Sequence, residues 1–130
     1  MPEEHKLYVG KTPEAKKTGR QIYNDLGCPK KMLCPLVDHS ELGFRILMKK
    51  YGCELSYTPM LNAKLFCKDA KYRSRHFGPL DGVHEMDRPL IVQFCSNDVD
   101  ELIKSCEYVK DRCDMIDLNL GCPQNIAKNG

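Results

Sequence analysis

The chain has 130 residues, of which 42% are apolar and 29% charged, with a formal net charge of +2. It contains no run of eighteen apolar residues, which excludes a membrane-spanning helix, and it is too short for a complete (β/α)8 barrel, which needs about 250 residues. The opening stretch MPEEHKLYVGK reads as too charged for a secretory signal and too acidic for a transit peptide.

Charge is unevenly distributed. Residues 1–31 carry seven Lys/Arg against four acids, and residues 64–75 carry Lys64, Lys68, Lys71, Arg73 and Arg75 against Asp69 alone. Two basic islands on an acidic remainder suit a polyanionic partner, although solvated helix faces give the same count. Residues 1–30 read as a basic extension with one short helix, from Thr18 to a stop at Gly27. Residues 31–130 read as a single α/β domain.

Regular alternation begins at residue 31. Met32–Val37 reads as a short strand. Asp38 or Ser40 then offers a helix cap, with Glu41 at the capping-box position for Asp38. The helix carries Leu42, Ile46, Leu47 and Tyr51 at helical spacing and stops at Gly52. A second strand is expected over residues 54–60. Residues 61–88 read as one helix (62–72) and an irregular loop marked by Gly78-Pro79 and Asp81-Gly82. The run 89–95 is almost continuously apolar, as a parallel strand buried on both faces should be. Asp98-Val-Asp-Glu101 opens a helix whose apolar stripe is Val99, Leu102, Ile103, Cys106 and Val109. A fourth strand, 114–120, ends at the turn Gly121-Cys122-Pro123. The order β-α-β-α-β-α-β predicts a parallel sheet, either a barrel segment or a doubly wound sheet.

Eight cysteines without a signal peptide read as reduced, buried small side chains. None is spaced Cys-x-x-Cys, so no zinc site is expected. Cys122 differs, because turn residues hold its thiol at a strand end. Strand alternation puts Met115, Asp117 and Asn119 on one face, and Gln93 with Ile91 and Cys95 on one face of the preceding strand. Gln93, Asn119 and Cys122 therefore converge on the C-terminal rim, where parallel α/β proteins bind ligands. Satisfying strand-end backbone groups is the plainer use for the same residues.

The segments CPLVDHSELGFRIL, YGCELSYTPMLNAKLF, RPLIVQFCSND and DMIDLNLGCPQNIAKNG resemble the tRNA-dihydrouridine synthases, nearest the eukaryotic branch acting at D-loop positions 16 and 17. The resemblance implies the N-terminal half of a (β/α)8 TIM barrel that binds FMN, reduced by NADPH (or NADH). It implies reduction of uridine to 5,6-dihydrouridine in tRNA, in the cytoplasm or alternatively the nucleus, with no metal and no membrane partner. Matching motif to motif, Cys122 is the proton donor and Asn119 holds the uracil edge. Pro35, Leu36 and Val37 approach the isoalloxazine ring, and Gln93 bonds the flavin's polar edge. Cys34 and Leu36 replace the family's usual Ala and Met.

A thiol suits the acid role, being mostly protonated at neutral pH, and amides suit ring edges because they donate and accept. The basic stretch from Lys64 to Arg75 is the expected RNA contact. The family's phosphate-holding Lys and His and its helical tRNA-gripping domain have no counterpart in these residues. A non-catalytic fragment or flavin-less RNA-binding remnant is therefore the alternative reading. A flavin barrel acting on free pyrimidines is disfavoured by the Asn-Leu-Gly-Cys-Pro-Gln run.

Overall fold

The computed structural model describes residues 17–128, so most of the basic extension lies outside the described residues. Its helix is α1 (Gly19–Asp25), closed at its start by a reciprocal capping box between Thr18 and Gln21. Beyond it stand strands β1 (Met32–Leu33), β2 (Leu55–Tyr57), β3 (Leu61–Asn62), β4 (Leu90–Cys95) and β5 (Met115–Asn119). The helices among them are α2 (Leu42–Lys50), α3 (Ala63–Lys68), α4 (Ala70–His76) and α5 (Val99–Val109), with a short α6 (Asn125–Lys128) after β5. Among the described residues, no helix is long and apolar enough to cross a membrane.

All strand pairings are parallel. β1 lies on β2, both β2 and β3 lie along the same β4, and β5 lies on the other side of β4. The strands thus succeed one another in chain order. Right-handed crossovers that always step the same way put their helices on one face, the winding of a barrel wall and not of a doubly wound sheet. That decides between the two architectures left open by element order.

The second strand is one strand with a defect. Tyr57 faces Ile91 and Leu61 faces Phe94, so four steps on one strand match three on the other. The surplus residue falls in Thr58-Pro59-Met60, where Pro59 has no N–H to give the ladder. Thr58 bridges the gap: its N–H donates to the Ile91 carbonyl (2.9 Å), and its hydroxyl accepts from the Gln93 N–H (3.1 Å) and donates to the Pro59 carbonyl (2.9 Å).

Both faces of β4 are covered, and all six of its residues are buried. Leu90, Val92 and Phe94 join Leu61, Ala63, Phe66, Phe77 and Val109 in the core under the helices. Phe66 meets the rings of Phe77, Phe94 and Tyr108 edge-on, with centroids 5.3–6.3 Å apart. Ile91, Gln93 and Cys95 point the opposite way, by alternation.

Several expectations need correcting. The first strand is two residues long, since the chain turns away after Leu33. Neither Asp38 nor Ser40 caps α2. Asp38 adopts φ +61° in the turn, and the buried Ser40 hydroxyl is committed to Leu36, accepting from its N–H (2.9 Å) and donating to its carbonyl (3.1 Å). The N-cap is Glu41, whose side chain makes no capping bond.

On α2, Leu47 and Tyr51 are exposed, and the buried residue is Arg45. That face packs on the 3-10 turn Glu85–Asp87, where the fully buried Asp87 carboxylate takes the Arg45 guanidinium in a two-pronged pair at 2.7 Å. Asp81 (2.6 Å) and the Ser40 carbonyl (2.8 Å) complete the guanidinium's partners. Burial works against the charge, but the hydrogen bonds that Arg45 donates to Asp87 and Asp81 outweigh it and raise the Arg45 pKa.

The expected helix 62–72 breaks at Asp69, which ends α3 and caps α4 through bonds from Lys71 and Tyr72 N–H groups. On α5, Val99 and Ile103 of the expected stripe are exposed, whereas Ser105 is buried and donates to the Ala63 carbonyl (2.9 Å). The eight cysteines are free, but only Cys95 is buried and Cys28 and Cys34 are exposed. Most sit on loops and half-covered helix faces instead of in the core.

Candidate functional site

A cleft of about 440 Å³ opens at the C-terminal ends of β1, β4 and β5. Its lining includes every residue expected to bind a cofactor or substrate or to act as an acid: Pro35, Leu36, Val37, Gln93, Asn119 and Cys122. Their convergence follows from the parallel register. Gln93 stands opposite Asp117 and Cys95 opposite Asn119, so the polar residues of β4 and β5 share one face near one rim.

One wall is apolar, made by Pro35, Leu36, Val37 and the buried Met60. The loop that carries the first three is braced from behind. Ser40 closes on Leu36 with two bonds, and the buried Arg45–Asp87 pair holds the Ser40 carbonyl.

The facing wall is polar. Gln93 Nε2 donates to Asp117 Oδ2 at 2.6 Å, and Asn119 Nδ2 donates over a long 3.4 Å to Gln93 Oε1. Asn119 Oδ1 accepts from the Gly121 N–H at 2.9 Å, which shapes the turn presenting Cys122. Cys122 is half-buried, and no described residue forms a hydrogen bond with its thiol. With Asn119 it also lines a second cleft of about 280 Å³ that includes Cys95 and Ser96. Burial, reinforced by Cys122, pushes the Cys95 thiol up. Burial, then the Asp117 charge, likewise pushes up the Tyr57 phenol.

The geometry adds residues that sequence reasoning assigned no role. His39 lines the cleft with Nδ1 2.9 Å from the Val37 carbonyl, a contact that requires the proton on Nδ1 and turns Nε2 elsewhere. Gln124 and Pro123 also line the cleft. Asp117 shares a face with Asn119 in any strand reading, but its grip on Gln93 shows only once β4 and β5 are paired. Among the described residues, no group of three His, Cys, Asp or Glu side chains is arranged to hold a metal ion.

The five basic residues of 64–75 are not one open patch. Lys64, Lys71 and Arg75 are exposed. Lys68 pairs with Glu101 on the surface, and Arg73 donates to the Phe66 carbonyl (2.7 Å) while stacking on Tyr108 at 4.1 Å.

The family model described as dihydrouridine synthase (Dus) matches residues 32–130. A Saccharomyces cerevisiae protein named tRNA-dihydrouridine(16/17) synthase, with NAD(P)(+) in its name, is 53% identical over 115 residues. These are 88% of this chain and 27% of that protein. The Schizosaccharomyces pombe protein of the same name is 46% identical over 112 residues, 86% of this chain and 28% of its own. A human protein named as tRNA-dihydrouridine(20a/20b) synthase-like is 43% identical over 97 residues, 75% of this chain and 29% of its own. The chain thus spans about a quarter of the length of the curated relatives it matches. No solved structure matches significantly. With a family match running from the first strand through the Cys122 turn, the chain belongs to the dihydrouridine synthase family.

Proposed function

We propose that these residues form the N-terminal wall of a TIM-barrel enzyme that reduces uridine in tRNA to 5,6-dihydrouridine, using FMN and a nicotinamide reductant. The observation that carries this reading is the single cleft uniting Pro35, Leu36, Val37, Gln93, Asn119 and Cys122. The donor set fits a flavin. An apolar wall of Pro35, Leu36, Val37 and Met60 suits a flat aromatic ring, and the Gln93 amide suits its polar edge. When bound, FMN supplies hydride, drawn from NADPH or NADH, to a pyrimidine carbon.

The chain's own residues do the remainder. The Cys122 thiol gives its proton to the neighbouring ring carbon, and half-exposure lets water restore that proton. Asn119 holds the base edge, and its tie to the Gly121 N–H fixes the distance from base to thiol. A stacked uridine must leave its stack to reach this cleft. Exposed Lys64, Lys71 and Arg75 supply cations for the RNA backbone, and the cytoplasm is the compartment we assign.

The test uses the full-length protein. Purified wild type should show the yellow flavin absorbance and form dihydrouridine with NADPH. Cys122→Ala should keep the flavin and lose at least about a hundredfold in product formation. Colourless protein that takes up no FMN would favour the RNA-binding remnant. Loss of flavin in Cys122→Ala would remove the cysteine from acid chemistry.

A further inference from the structure

The described arginines that are buried or partly buried fall into two kinds. Arg45 and Arg88 each grip a carboxylate with two nitrogens, Asp87 for the first and Asp114 for the second. Arg73 and Arg112 form no ion pair among the described residues. Arg73, on α4, donates Nη1 to the Phe66 carbonyl (2.7 Å) and lies over the Tyr108 ring. Arg112, just past α5, donates Nε (3.0 Å) and Nη2 (2.6 Å) to the Asp81 carbonyl and Nη2 also to the Gly78 carbonyl. Its guanidinium sits 4.4 Å from the centre of the Phe77 ring. Carbonyls and ring faces attract a guanidinium, but they carry no charge that cancels it.

Both cations line one pocket of about 240 Å³, walled by Phe66, Phe77, Pro79 and Tyr108. No acidic side chain lines it. Glu107 and Asp111, neighbours in sequence of Tyr108 and Arg112, are exposed, and Glu107 is paired with Lys110. The Asp81 carboxylate is spent on Arg45 and on the Gly78 N–H. A guanidinium has five N–H groups, so Arg73 keeps four and Arg112 keeps the two of Nη1. Tying α3 to α4, and the Gly78–Asp81 turn to α5, uses only part of what these side chains offer.

We propose that this pocket binds a phosphoryl group at a site separate from the catalytic cleft. One carboxylate matches one guanidinium, as at Arg45 and Arg88. Two guanidiniums brought from two elements onto one pocket call for an anion with more oxygens and up to two charges, which a phosphate group supplies. The apolar walls keep water from one side of the pair and strengthen its attraction. Arg112 precedes the N-terminal end of β5 and Cys122 follows its C-terminal end, so a ligand here does not occupy the cleft. The assignment is independent of the reaction performed there. Free phosphate and an RNA backbone present the same group, and Lys71 and Arg75, exposed on α4, extend the positive field for the longer anion.

The test uses full-length protein and phenylglyoxal, a reagent selective for arginine, with modification at each arginine followed by peptide mass spectrometry. Inorganic phosphate should slow modification of Arg73 and Arg112 together by at least about fivefold, saturating as one site fills. The exposed Arg20 should be unaffected, and acetate at equal ionic strength should protect neither pocket arginine. A parallel arm replaces phosphate with tRNA. Protection by tRNA assigns the RNA backbone as the source, and protection by inorganic phosphate alone assigns the free anion.

In Arg73→Gln, phosphate should no longer protect Arg112; undiminished protection would overturn the proposal, because the two side chains would not share an anion. Equal protection by acetate would overturn it in favour of a carboxylate. Protection by neither phosphate nor tRNA would overturn it in wild type, with no variant required to fold. So would failure of the reagent to reach either arginine in the ligand-free protein, since the pocket would then be covered by the rest of the longer chain.

Discussion

Removing the Asp87 carboxylate tests the ion pair behind the Leu36 loop. Asp87 is fully buried and Arg45 is 1% exposed; the carboxylate accepts from Arg45 Nε and Nη2 and from the Gly82 N–H, each at 2.7 Å. In Asp87→Ala the guanidinium keeps Asp81 and the Ser40 carbonyl, so its charge is not left bare. That places the loss at the lower end of the roughly 3–5 kcal/mol typical for breaking a buried pair. The orphaned Gly82 N–H adds about 1 kcal/mol. The expected total, about 4 kcal/mol, is a large share of the roughly 5–15 kcal/mol by which a domain is stable. Asp87→Asn keeps the volume and one acceptor and should cost roughly half as much. Urea unfolding followed by far-ultraviolet circular dichroism measures both, read as a midpoint shift at constant slope. An Asp87→Ala loss below about 1 kcal/mol would refute the reasoning, since the pair would then be dispensable to the fold.

Further outcomes follow at Gly82, Gly27 and Asp114. Gly82 has φ +69°, and a Cβ there would lie 1.7 Å from the Arg112 carbonyl oxygen, so Gly82→Ala should lose more than about 4 kcal/mol or fail to give soluble protein. Gly27→Ala, at φ +83° with open space around it, should cost only about 1 kcal/mol; equal melting temperatures for the two would contradict the close approach. At the N-terminal end of β4, burial pushes the Asp114 carboxyl up, but bonds from Arg88 (2.7 and 2.9 Å) and the Leu90 N–H (2.8 Å) carry it below its ordinary value. A carboxylate depressed in the folded state stabilises fully above its unfolded pKa of about 4 and loses that contribution as pH falls through the folded value. Urea midpoints of wild type and Asp114→Asn, separated at pH 7, should therefore converge in acid; a constant separation down to pH 2.5 would exclude the linkage.

The parts of the fold that were legible in sequence are those governed by one segment at a time. β4 could be read from its apolar run because a strand covered on both faces has no polar alternation. The placement of Gln93, Asn119 and Cys122 could be read because alternation and a turn suffice to put them at one rim. What resisted depends on partners distant in sequence. Arg45 on a helix reads as a solvent residue, and its burial makes sense only with Asp87, 42 positions away. Ser40 reads as a helix cap until Leu36 is seen to occupy its hydroxyl. Pro59 marks a weak point in the second strand, but a surplus residue exists only relative to β4. Asp117 could be placed on one face with Asn119, yet its bond to Gln93 runs to the neighbouring strand.

The surplus residue between β2 and β3 also bears on which way Leu61 faces. Tyr57 and Leu61, four apart, would share a face on an unbroken strand, but the surplus residue turns Leu61 to the side of Phe94, where it is 1% exposed in the core. Deleting any one of residues 58–60 would leave Leu61 on that side and straighten the strand, so what it would remove is the gap that the Thr58 hydroxyl fills against the Gln93 N–H.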